Sequence, residues 1–204
     1  MAATGFVGFF FVLGHMIGNL QAFGLFGGAE ALNAYGRFLR QTHGLLWVVR
    51  FVLLAAVVLH IWVAYSLTRT SWAGRPVGYR RWSAVGSSYA SRTMRWSGPI
   101  LAFFLVYHLL DLTIGSANPD FVEGDVYHNL VASFQIWYVT SFYIAGMVCL
   151  GLHLYHGIWS MFQTLGLNNP TYNAWLHRFS VVFALVIILG FVSVPIGVLT
   201  GLIQ

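Results

Sequence analysis

Of the 204 residues 58% are apolar and only 7% are charged, against roughly 25% charged in soluble domains. Hiding 17 Phe, 8 Trp and 10 Tyr inside a water-soluble particle this small is not feasible, so composition excludes an ordinary soluble globule and points to a lipid-facing surface. The ten cations are all arginine, and with five acids they leave a net charge of +5, too few and too clustered for a nucleic-acid binder.

The single cysteine, Cys149, excludes a disulfide framework, a cysteine-held cluster and covalent haem attachment. The start of the chain lacks the basic region of a cleaved signal, so the first apolar segment is expected to be retained. A membrane-spanning helix needs about 20 mostly apolar residues. Five segments qualify, from about Ala3 to Leu25, Leu45 to Thr68, Met94 to Gly115, Phe134 to Phe162 and Trp175 to Leu199. The expected fold is therefore all-α and integral to a membrane, one domain over residues 1–204, with the first four spans bundled and the fifth peripheral. Pro195 and Gly197 are expected to loosen the end of the fifth.

Arg69, Arg75, Arg80, Arg81, Arg92 and Arg95 sit between the second and third spans. Basic residues in short loops stay on the cytoplasmic side, which places the N-terminus inside. Asp120, Glu123 and Asp125 then face outward, and Arg37 and Arg40 form a mild exception.

Four histidines lie inside spans, one on each of the first four: His15, His60, His108 and His153. Ionisable groups at that depth are costly and call for a partner. A rise of 1.5 Å per residue puts His15 and His108 at an outer level and His60 and His153 at an inner one. Each pair suits a bis-histidine haem b, with an imidazole on either face of a planar macrocycle. A lone intramembrane histidine bonded to a neighbouring helix is the plainer reading of each one alone. Small residues share the ligand faces: Gly8, Gly18 and Ala22 by His15, Ala56 and Ala64 by His60, Gly115 after His108, and Gly146 and Gly157 by His153. They also serve ordinary helix contact. His156, about 60° round the helix from His153, is a second ligand candidate or else a propionate or quinone contact. His43, His128 and His177 read as solvated loop residues.

The run His153-Leu-Tyr-His156-Gly-Ile-Trp-Ser160-Met-Phe-Gln-Thr, the run Ser91-Arg92-Thr93-Met94-Arg95-Trp96-Ser97-Gly98 and one histidine per span over four spans carry a resemblance. Over essentially its full length the chain resembles the two-haem, five-helix cytochrome b membrane anchor of succinate:quinone oxidoreductases and fumarate reductases, respiratory complex II. That resemblance implies a bacterial cytoplasmic membrane, and a flavoprotein subunit and an iron-sulfur subunit as partners. It also implies two b haems held by His60 with His153 and by His15 with His108, and a quinone substrate, usually menaquinone in two-haem members. The chain itself lacks a nucleotide-binding glycine fingerprint, so dicarboxylate chemistry would reside on a partner. Where some members carry a glutamate two residues before the fourth ligand, this chain has Gly151.

Arg92 and Arg95 are candidates for haem propionates or quinone, since a guanidinium clamps a carboxylate bidentately, and Ser91 and Ser160 lie beside these contacts. The loop holding Trp72, Tyr79, Trp82 and Tyr89 among arginines suits an iron-sulfur subunit, or else an interfacial belt that sets topology. Asp111, three residues after His108, is a candidate proton carrier for an outer quinone with Glu30 and His43 as helpers, or simply a helix-end residue meeting solvent or an arginine. Other di-haem quinone-linked subunits usually distribute ligands differently. A proton-relay transporter usually shows paired halves with broken helices, and the sequence has no such duplication.

Overall fold

A computed structural model describes residues 1–42, 44–74 and 89–204, with side chains from 92 onward in the last range. His43, the side chains of Tyr89 and Ser91, and Arg75, Tyr79, Arg80, Arg81 and Trp82 lie outside the described residues. Among the described residues seven α-helices follow in order: α1 (Ala2–Leu20), α2 (Gly28–Gln41), α3 (Gly44–Ala73), α4 (Tyr89–Leu109), α5 (Val126–Gln135), α6 (Trp137–Thr164) and α7 (Asn173–Leu199). Five are long and apolar enough to cross a membrane: α1, α3, α4 with its extension to Ile114, α6 and α7. Their exposed faces carry Phe6, Phe51, Trp62, Phe103 and Leu189, a surface suited to lipid rather than water.

The two short helices break the expected loops. α2 has polar and apolar faces and is too short to register as a span. The expected fourth segment divides at Ile136, which is extended and separates α5 from α6. Asp125 caps α5, accepting the His128 backbone N–H at 2.9 Å, and Asn33 of α2 donates to the same carboxylate at 2.9 Å. Arg40 donates to the Gly124 carbonyl at 2.9 Å, so this arginine serves a local tie between α2 and the loop before α5. Leu32, Leu130, Phe134, Val194 and Val198 form a buried cluster there, closing one end of the bundle.

Hydrogen bonds from the His128 backbone and from Asn33 hold the Asp125 carboxyl below the usual carboxylate range. A depressed carboxyl pKa stabilises above the unfolded value, near 4, and that contribution fades as pH falls through the lowered folded value. Asp125→Ala is therefore expected to cost α5 about 1 kcal/mol at neutral pH. Faster amide exchange in Val126–Asn129 would report it, and the difference from the native chain should vanish in acid.

Two expectations about the fifth span are corrected. α7 runs unbroken through Pro195 to Leu199, because a membrane helix tolerates proline where neighbours satisfy the freed carbonyl. Nor is α7 peripheral: it packs along α6 and against α1 and α5, with Ser180 and Ile187 fully buried. The loosely held span is α3, which has no buried residue and packs closely on α1 alone among the described elements.

Candidate functional site

The helices bring the four intramembrane histidines together in two pairs. His15 of α1 and His108 of α4 have ring centres 5.8 Å apart; His60 of α3 and His153 of α6 are 6.1 Å apart. A metal ion bonded from opposite sides by two imidazole nitrogens at about 2 Å holds their ring centres roughly 6 Å apart. Both pairs have that separation.

The pairs lie at two levels. His60 meets Thr4, eleven residues before His15 on α1; His153 meets Ser97, eleven residues before His108 on α4; His108 meets Tyr143, ten residues before His153 on α6. At 1.5 Å per residue these three spacings put the levels about 15–17 Å apart, roughly half the thickness of the hydrocarbon. Eleven residues are three helical turns, so α1 and α4 each align a histidine for one level with a hydroxyl for the other. The eleven-residue spacing is present in the sequence, but nothing in sequence alone ties the Thr4, Ser97 and Tyr143 hydroxyls to a histidine on another helix.

The hydroxyl contacts favour one tautomer in two of the rings. Thr4 donates its only O–H hydrogen to the Met1 carbonyl at 2.9 Å, so at 3.0 Å from His60 Nδ1 it accepts. Tyr143 donates to Asp111 Oδ2 at 2.7 Å and accepts from His108 Nδ1 at 3.4 Å. With the hydroxyl hydrogens on the Met1 carbonyl and on Asp111, both imidazoles carry hydrogen on Nδ1, which leaves the Nε2 lone pair free for a metal, the usual arrangement of a ligating histidine with an oriented outer partner. Ser97 Oγ lies 3.5 Å from His153 Nδ1, and Asn19 borders the His15 ring at 3.5 Å.

Among the described residues no three His, Cys, Asp or Glu side chains gather as a metal-binding set. Paired imidazoles suit a metal whose remaining positions a macrocycle fills. Two glycines near the pairs are not filled by a neighbour: a Cβ added at Gly8 or Gly157 would meet nothing within 4 Å. As a donor set, two facing imidazoles at each level are compatible with a planar group ligated from both faces. Other small residues expected to line the ligand faces do not leave room. Gly18 is filled by Tyr35, Gly146 by Phe104, and Gly115 by Phe121, with Gly115 also in a left-handed turn at φ 85°.

Asp111 is 1% exposed. It sits on the π-helical turn Leu110–Ile114 that follows α4, and Ser133 of α5 donates to its Oδ2 at 2.7 Å alongside Tyr143. The expectation that it meets solvent or an arginine is thus overturned. Glu30 is exposed in the first turn of α2.

At the opposite end, Arg95 lies over Trp72 of α3 at 5.6 Å, and Arg92 is exposed one turn earlier on α4. His156 and Ser160 are half-buried on α6; it is His153, not His156, whose ring faces His60. His177, expected in a solvated loop, instead packs at a tilt against Trp159, ring centres 4.4 Å apart, beside Tyr155. His128 is exposed, its Nε2 2.9 Å from the Asp120 carbonyl.

Compared with family models, with curated proteins and with solved structures, the chain has no match.

Proposed function

We propose that this chain is the membrane-anchor cytochrome b subunit of a succinate:quinone oxidoreductase, carrying electrons between an iron-sulfur subunit and a membrane quinone. The observation that carries the reading is the meeting of His15 with His108 and of His60 with His153 at bis-imidazole separation, one pair above the other. A proton relay would need no such spacing. Bis-histidine haem b supplies one-electron transfer in each level.

The chain's own residues hold and orient. The Thr4 and Tyr143 oxygens keep His60 and His108 in the tautomer that ligates through Nε2. Arg92 and Arg95, on the helix that carries Ser97 beside His153, would hold the propionates of the His60/His153 group, since a guanidinium pairs with a carboxylate through two parallel hydrogen bonds. Quinone is placed at this end too, near Arg92, Arg95, His156 and Ser160, because Asp111 is enclosed at the other.

The flavoprotein and iron-sulfur subunits dock on the arginine-bearing end in this reading, with the N-terminus cytoplasmic in a bacterial inner membrane. A cysteine at Gly74, in a Cys149→Ser background, is then expected to resist an impermeant thiol reagent in intact cells and to react in inverted vesicles. Labelling from outside would invert the topology. Affinity purification of the tagged chain from its native membrane tests the assignment itself. Co-purifying flavin and iron-sulfur subunits with succinate-dependent quinone reduction are expected; a coloured chain with a different dehydrogenase would reassign it.

A further inference from the structure

The two hydroxyl partners end differently. The hydrogen of Thr4 goes to a neutral carbonyl, that of Met1. The hydrogen of Tyr143 goes to the Asp111 carboxyl, which also receives Ser133 and is almost fully enclosed. Two hydroxyl donors converging on one oxygen mark that oxygen as a strong acceptor, so hydrogen bonds run in one direction: His108 Nδ1–H to Tyr143, and Tyr143 O–H to Asp111. Such chains polarise cooperatively at low dielectric. The same logic operates where a carboxylate bonded directly to a ligating histidine raises its basicity; here a tyrosine is interposed.

We infer that Asp111 is a positioning residue that acts through Tyr143 on His108, fixing its Nδ1–H tautomer, making it a stronger electron donor and thereby lowering the reduction potential of the haem it shares with His15. This rests on the haem reading above. It gives Asp111 a role that needs no contact with quinone. A carboxylate relayed to one axial ligand favours the oxidised, more positive iron, and the effect is confined to one level because the other lies about 15–17 Å away along the helices.

The test is a spectroelectrochemical titration of the full chain in its native membrane, resolving the two haems. Tyr143→Phe keeps the ring and removes the relay; Asp111→Asn keeps the shape and removes the charge. Each is expected to leave both haems bound and to raise one midpoint by on the order of tenfold in the reduction equilibrium, about 59 mV for one electron. The double variant should shift no further than the larger single, since the residues act in series. That midpoint must belong to the haem lost in His108→Ala. Unchanged midpoints in Tyr143→Phe, equal shifts of both haems, or loss of the haem from Tyr143→Phe would overturn the inference while leaving the haem reading intact. Absence of haem from the native chain would instead overturn the reading beneath it.

Discussion

Replacing either His15 or His108 with alanine is expected to abolish one b-haem signal, the same one in both variants, and to leave the second largely intact. His60→Ala and His153→Ala should abolish the other. The expectation follows from geometry: each ring has one counterpart at about the separation two axial ligands impose, and the levels share no histidine. In the proposed reading, loss of one imidazole would remove one of the two side chains that hold the group between two helices. For the His60/His153 pair the effect should be the more severe, because among the described elements α3 packs closely on α1 alone and the bound group would itself tie α3 to α6. Visible spectra of the four variants check this, and loss of different haems within one pair would refute the pairing. His156→Ala is expected to keep both haems.

The second large effect separates glycines that make room for a cofactor from glycines that make room for a neighbouring helix. A side chain at Gly146 would collide with the Phe104 ring on α4, so Gly146→Leu is expected to spread α4 from α6. Overpacking of this kind costs about 1–3 kcal/mol, and because α4 and α6 contribute to both levels, both haems should weaken. Gly157 lies one turn beyond His153 on the same face with open space before it. Gly157→Leu should leave the helices packed and exclude only the His60/His153 haem. Thermal unfolding of the apoprotein and haem content distinguish the two; identical behaviour of the variants would mean that Gly157 does not border a cofactor.

The spanning helices were legible because satisfying a backbone in lipid demands long apolar runs, and the five segments overlap the five long helices. Pairing of the histidines was legible too, since depth along a helix is arithmetic on residue number. α2 and α5 were not, because a hydropathy criterion tuned to membrane thickness passes over short helices of mixed character. The environment of Asp111 was also out of reach. Its donors, Ser133 and Tyr143, come from α5 and α6, and only the break at Ile136 brings them to the end of α4. The close fit of α7 escaped notice because a uniformly apolar helix gives no sign of which face is covered by protein and which by lipid.

The measurement that bears most directly on the central claim is a reduced-minus-oxidised visible spectrum of the purified full-length chain with haem content per polypeptide. Two haem b per chain, both low-spin as bis-imidazole ligation requires, are predicted. A colourless chain, purified from cells supplied with haem, would contradict the account.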